Sequence, residues 1–275
     1  MPHLDEATWR ARARAHAERA DALTAGHRAR RERRESHPVE DFLFTYYPTR
    51  PGRLRIWHPG ADVVLAGAGE RAGWKHYVPD GSRVDAASIR PETVAFVRDL
   101  LTATASRPAH LGCFGLHEWA MVYRDRDTRH PVPLRLGPEG TDAVVEDHRL
   151  RCTHHDAYRF FTAGAAPRNA GRPTREGQVA VEQPGCLHAT MDLYKWATKL
   201  GPLVPGELLL DTFELARDVR VLDMRASPYD LTALGHPPVR IETAAGKAEY
   251  TRAQQGFAAR GAVLRARLLE IVADR

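Results

Sequence analysis

The chain has 275 residues, 43% of them hydrophobic, with 40 Lys and Arg against 35 Asp and Glu, a formal net charge of +5 and a pI near 9.3. That is enough chain to bury a substantial core. It contains no run of about 18 apolar residues to span a bilayer, and its start, MPHLDEATWRARARAH, lacks the apolar centre of a secretory signal, so the expectation is a soluble, cytoplasmic protein with no membrane partner.

The three cysteines, Cys113, Cys152 and Cys186, form no CxxC pair and are odd in number. This argues against a disulfide framework, against a disulfide-linked partner and against a cysteine-based zinc site, and it fits a reducing compartment. The basic excess is mainly arginine, whose planar fork suits phosphates or nucleic acid; a GC-rich genome yields the same bias.

Residues 4–35 are rich in Ala, Arg and Glu without proline and predict a long basic helix, carrying nine arginines from Arg10 to Arg34. It reads either as a phosphate-facing arm or as a solvated helix in which Glu18, Asp21, Glu32 and Glu35 supply partners. In residues 36–60, Phe42, Phe44, Tyr46, Tyr47 and Trp57 interleave with Arg50, Arg53, Arg55 and His58. Rings among guanidinium groups can stack a base and hold its phosphates. The alternative is a strand that buries Phe42, Phe44 and Tyr46, with turns exposing the arginines.

Val63–Leu65 reads as a short strand. The following GAGERAG resembles a loose dinucleotide fingerprint, but no helix opens at its glycines, so that match is set aside. Residues 91–104 predict a helix with Val94, Val97, Leu100 and Leu101 inward. In residues 111–130, Leu116, Trp119, Ala120 and Tyr123 follow helical spacing and place His117 and Glu118 near that helix's start. These two are a candidate base and orienting partner, although adjacent helical residues diverge by about 100° and do not share one small ion easily.

Residues 141–162 predict a strand with Val144, Glu146, His148, Leu150 and Cys152 on one face, then a helix from His154. Histidines and acids from Asp142 to Asp156 suit metal binding or proton transfer; Thr153 and Asp156 also have the spacing of a capping box. Residues 163–183 turn to Gly, Pro, Arg and Asn and predict a loop, mobile or closing on an anion through Arg168, Arg172 and Arg175. The helix at Leu187–Leu200 then carries His188, Asp192, Lys195 and Lys199 on one stripe. His188, Asp192 and Lys195 are the candidate catalytic group, with His117 and Glu118 as partners.

A further helix from Pro205 presents Asp211, Glu214 and Asp218 on one face, read as solvated. VRVLDM reads as a strand ending near Asp223, Ser227-Pro228-Tyr229-Asp230 as a helix start, PVRIETAAGKAEY as strand and turn, and residues 250–273 as a closing helix. The whole predicts an α+β fold: a mainly helical single domain over 36–275 with a few short strands and a mobile loop at 163–183, preceded by a basic helical extension, 1–35.

The segments HPVEDFLFTYY, RLRIWHPG, GCFGLHEWAMVYR, LRCTHHDAYRFF, EQPGCLHATMDLYKWATKL and LDMRASPYDL together resemble an actinobacterial family whose members carry the name 3-methyladenine DNA glycosylase, over the chain from about Ser36 onward. The resemblance implies hydrolysis of the N-glycosidic bond of an alkylated purine flipped out of DNA, with no cofactor. A carboxylate would stabilise the developing cation and positive charge would hold flanking phosphates. Asp192 would then be the carboxylate, Tyr46, Tyr47 and Trp57 the stacking residues, and Arg50, Arg53 and Arg55 the phosphate contacts. The helix-hairpin-helix turn of many such enzymes is incomplete, since Leu203-Val204-Pro205-Gly206 is followed by Glu207 and Leu208.

Two other classes stay open. One is an enzyme of small anionic or nucleotide-like substrates in which His117, His148, His154, His188 and Asp192 converge on a divalent iron, manganese or zinc ion. The other is a non-catalytic nucleic-acid binding module.

Overall fold

The computed structural model describes every residue except Pro48, Arg126 and Arg129. The chain is mostly helical. Its named strands among the described residues are β1 (His3–Leu4) and β2 (Val64–Leu65), paired in parallel with His3 opposite Val64 and Leu4 opposite Leu65. The helices are α1 (Glu6–Arg33), α2 (Phe42–Tyr46), α3 (Pro51–Leu54), α4 (Pro91–Ala105), α5 (Leu116–Ala120) and α6 (Gly137–Glu146). They continue with α7 (His155–Tyr158), α8 (Gln178–Val181), α9 (Leu187–Leu200), α10 (Gly206–Arg225) and α11 (Ala244–Val272). No helix among the described residues is long and apolar enough to cross a membrane.

The chain forms two compact units. Unit 1 comprises residues 1–101, 192–216 and 263–275; unit 2 comprises 102–191 and 217–262. The chain passes from one to the other inside α4, α9, α10 and α11, so no linker composition marks a boundary.

In unit 1, α1 starts where Asp5 accepts the Thr8 backbone N–H at 2.8 Å and ends with Arg30, Arg31 and Arg33 beside its carbonyl end, where positive charge is favoured. Its buried stripe is narrow: Trp9, His16, Ala20 and Thr24. Most of its arginines are neutralised within the unit. Arg19 meets Asp211 and Glu214, Arg30 meets Glu40 and Asp41, Arg12 meets Glu207, and Arg10 meets Glu6 and Glu70. Of the three α10 acids that read as a solvated face, Asp211 and Glu214 are among these ion-pair partners, while Asp218 pairs with Arg260 in unit 2.

Trp9, Trp57, Leu65 and Ala68 pack together beside the buried Arg71. Its guanidinium lies 5.0 Å from the Trp9 ring, 4.8 Å from Trp74 and 5.4 Å from Trp57, and donates to the Trp57 carbonyl and the Tyr77 hydroxyl. The rings supply both apolar cover and a cation-attracting face. At Gly206 an added Cβ would stand 2.6 Å from Trp57 Cδ1, so a glycine is required where α10 begins.

In unit 2, Met121, Cys152 and Ala157 form a small apolar cluster, with Tyr158, Phe160 and Phe161 packed on it. At the start of α11, Thr243 Oγ1 accepts the Gly246 N–H at 3.1 Å.

Several expected elements are corrected, and the reason recurs: a short apolar run fits periods of 2 and 3.6 equally well. Phe42–Tyr46 is helical, with Phe42 stacked on Tyr46 at 5.1 Å one turn away. The expected strand at 144–146 belongs to α6, which buries Thr141, Val144 and Val145. VRVLDM is the last part of α10, where Leu215, Val219 and Leu222 continue one buried stripe. The strand expected before the last turn gives way to α11, which begins earlier, at Ala244. No helix starts at Ser227: Tyr229 bridges Leu134, and Asp230 Oδ1 accepts the Thr232 N–H at 3.0 Å, a local structural role. The Thr153–Asp156 capping box does not form, since α7 is capped at His154 without a side-chain bond and Asp156 lies 3.3 Å from Arg159.

Candidate functional site

Unit 2 buries a network of charged groups built by α5 and the second half of α10. His117 Nε2 lies 2.7 Å from Asp223 Oδ1. Arg220 donates through Nη1 to Asp223 Oδ2 at 3.0 Å and to Glu118 Oε1 at 2.8 Å. All four side chains are buried, which is tolerable because each charge has an opposite partner. A helical backbone at 219–225 is what permits it, since Arg220 and Asp223 at i, i+3 share one helical face.

Burial alone would lower the His117 pKa, but the Asp223 charge and hydrogen bond outweigh it and raise it well above its ordinary 6.5. Burial works against the Asp223 carboxylate too, and His117, through charge and hydrogen bond, holds it well below its ordinary 3.8, with His188 and Arg220 adding to the effect. The pair is therefore an imidazolium and a carboxylate over a wide pH range.

His188, from the first turn of α9, lies with its ring centroid 4.5 Å from that of His117 and 5.2 Å from that of His154. His154 Nε2 lies 3.8 Å from Glu182 Oε2, and Gln178 donates to that oxygen at 2.7 Å. One ligand atom each from His117, His188 and Asp223 lies within 4.8 Å of the others, a donor set able to take a divalent ion.

The network adjoins two cavities of unit 2. The smaller, about 10 Å³, is bordered by all three cysteines and by His117, His188 and Tyr250; it has room for one water molecule. The larger, about 440 Å³, is open to solvent, shares Cys113, Arg151, Cys152 and Thr153 with the first, and is lined also by Arg149, Arg172 and His110. Its floor is fixed by Asn169, whose Oδ1 accepts the Cys152 N–H and whose Nδ2 donates to the carbonyls of Cys152 and Gly171. These bonds tie the middle of the 163–183 loop to the 150–152 segment. Leu150 is buried between Arg149 and Arg151, which an extended backbone turns to the opposite side. Among the described residues no carboxylate lies within ion-pair distance of Arg149, Arg151 or Arg172.

Of the residues singled out from sequence, His117, Glu118, His188 and His154 come together in unit 2. His148 does not join them; lying just past the end of α6, its Nδ1 bonds the Val144 carbonyl of that helix. Asp192 and Lys195 lie in unit 1, where Asp192 is buried and accepts from Tyr47 Oη at 2.7 Å and Lys195 Nζ at 3.0 Å. Tyr47 and Trp57 are buried, the latter donating its indole N–H to Glu207, so neither presents a ring face at the surface. Tyr46 is half-buried edge-on to Tyr47. Arg50 and Arg53 are exposed, and Arg55 pairs with Asp21. Of the loop arginines only Arg172 lines the larger cavity; Arg168 bonds the Glu146 carbonyl, and Arg175 is exposed.

The residues that sequence reading passed over are Asp223, Arg220, Cys113, Arg149 and Arg151. One signal was present: each cysteine is followed by a histidine, as Cys113/His117, Cys152/His154 and Cys186/His188. No protein-family model, curated protein or solved structure matches the chain.

Proposed function

We propose that the protein is an enzyme of phosphate-bearing substrates. The anion is received by Arg149, Arg151 and Arg172 in the larger cavity of unit 2, and His117, oriented by Asp223, moves a proton at the reacting bond. The observation that carries this reading is a buried imidazole–carboxylate pair at 2.7 Å, set behind a cavity wall whose arginines have no carboxylate of their own. Arginines with no carboxylate beside a cavity suit a ligand anion, and a charged imidazole held by a carboxylate is placed to give a proton to a leaving group.

Cleavage of the N-glycosidic bond of an alkylated purine is the reading that the family resemblance suggests. Its carboxylate would be Asp192, buried in unit 1 with Tyr47 and Lys195 and lining neither cavity of unit 2, so it stands as a separate reading from the anion site. A metal-dependent version is supported by the grouping of His117, His188 and Asp223.

Three measurements on purified protein separate these. Calorimetric titration with inorganic pyrophosphate should show binding that Arg149→Ala/Arg151→Ala weakens at least about tenfold; no binding sinks the anion site. Alkylated DNA should release methylated purine if the glycosidic reading is right, with Asp192→Asn inactive. Elemental analysis finding one metal per chain, lost in His188→Ala, would move the reading to metal catalysis.

A further inference from the structure

The small cavity gathers every cysteine of the chain, but the three thiols are not equivalent. Cys152 is buried, and burial pushes its thiol up to about 12; its Sγ lies 3.5 Å from the His154 carbonyl. Burial likewise raises Cys186 well above its ordinary 9.0. Cys113 differs in two respects: it is half-buried on the wall of the large open cavity, and its Sγ lies 3.5 Å from His117 Nδ1.

The placing of the protons follows from the other side of the ring. Asp223 Oδ1 can only accept, so Nε2 carries a hydrogen toward it, and in the charged imidazole Nδ1 carries the second, which faces the Cys113 sulfur. Asp223 is itself held by Arg220, and Arg220 by Glu118. Between Cys113 and His117 the backbone makes a sharp turn through two left-handed residues, Phe114 at φ 48 and Gly115 at φ 72. A non-glycine residue in that region is disfavoured unless the surroundings impose it, and here the turn leads straight into α5, so that the thiol stands over the imidazole.

We propose that Cys113 is the nucleophile of a Cys113–His117–Asp223 relay that attacks an electrophilic carbon of an anionic substrate anchored by Arg149, Arg151 and Arg172. Cys113 and His117 are the reacting groups; Asp223 is a positioning residue. The one proton shared by the Cys113–His117 pair resides on His117 Nδ1, so Sγ attacks as the thiolate, and as the Sγ–C bond forms the leaving group departs with its bonding pair and takes that proton. Water then adds its hydroxide to the carbon and its proton to Nδ1 as the Sγ–C bond breaks, which restores the thiolate–imidazolium pair. The logic is that of a nucleophile–base–carboxylate triad, with the two imidazole nitrogens in exchanged roles. The proposal rests on the anion-site reading of the larger cavity.

The test uses alkylating agents in place of the unidentified substrate, on the full-length chain. Iodoacetate is an anion and iodoacetamide its neutral counterpart; in each case an Sγ–C bond forms and iodide leaves. Peptide mapping should show Cys113 modified at least about tenfold faster than Cys152 and Cys186. At Cys113, and only there, iodoacetate should outpace iodoacetamide, and inorganic phosphate should slow it. Arg149→Ala/Arg151→Ala should abolish the anion preference, so that iodoacetate no longer outpaces iodoacetamide; His117→Gln should slow both reagents about tenfold or more.

Cys113 reacting no faster than Cys186 in the folded wild-type chain would overturn the relay, even with pyrophosphate binding intact. A fast Cys113 that treats both reagents alike would instead overturn the anion site on which the proposal rests. The wild-type comparison needs no variant, so a His117→Gln chain that failed to fold would not blunt the test.

Discussion

Each unit holds a buried aspartate and a shielded histidine, half-buried His58 in unit 1 and buried His117 in unit 2, and the two units treat them in opposite ways. In unit 1, His58 and Asp192 have separate partners. The His58 ring faces Tyr77 Oη at 2.9 Å, and that hydroxyl, which accepts from Arg71, can donate to an unprotonated nitrogen; burial, with Arg71 nearby, lowers His58 to about 4. Asp192 is satisfied by a hydroxyl and an amine. In unit 2 the two groups are joined directly, and the imidazole is held charged. Both rings lose solvent, His117 the more completely, so it is the charge of the neighbour that decides the direction of the shift.

The largest effect should come from cutting the joined pair. Asp223→Ala leaves His117 and Arg220 buried without their carboxylate and should cost about 3–5 kcal/mol in denaturant unfolding. A loss no larger than that of Asp192→Asn would break the contrast between the units.

Next in size is a pH effect. His58 has its folded pKa depressed from 6.5 to about 4, so the unfolded chain binds more protons as acid is added. Its contribution is complete above 6.5 and is lost as pH falls toward 4, by about 3 kcal/mol at pH 4. His58→Phe should remove that much of the acid sensitivity, read as the difference between the two stability–pH curves. His117 behaves in the reverse sense: its pKa is raised, so its stabilisation is complete below 6.5 and decays as pH rises through the raised value. Chains carrying His117→Gln should therefore lose less stability than wild type on going to alkaline pH.

Asp192→Asn should cost less, about 1–3 kcal/mol, because the amide oxygen can still accept from Lys195 while the amide N–H donates to the Tyr47 hydroxyl, though without charge. Smallest of all, Arg149→Ala/Arg151→Ala should change stability by under about 0.5 kcal/mol, since both residues are exposed and pair with no carboxylate. That variant separates binding from folding: its only expected deficit is anion affinity.

Much of the helical framework was legible. The long basic helix, α4, the helix carrying His117 and α9 follow from 3.6-residue periodicity and from the absence or placement of proline. His117, Glu118, His188 and Asp192 were legible as polar groups on otherwise apolar helices. Asp223 was obscured by a single ambiguity of period, because a strand at 219–224 would have sent Arg220 and Asp223 to opposite faces. The arginines of α1 were legible as charge but not as paired charge, since their partners are as remote as Asp211 and Glu214.

What the sequence by itself determined is local: helix stripes, the mainly helical class, and the residue types available for chemistry. Only the tertiary structure decided which of them meet. Short-range periodicity sets a side chain's direction from its own element, whereas the approach of Cys113 and His117 to Asp223, or of Tyr47 to Asp192, depends on packing between segments far apart in the chain. No spacing rule within one element carries that information.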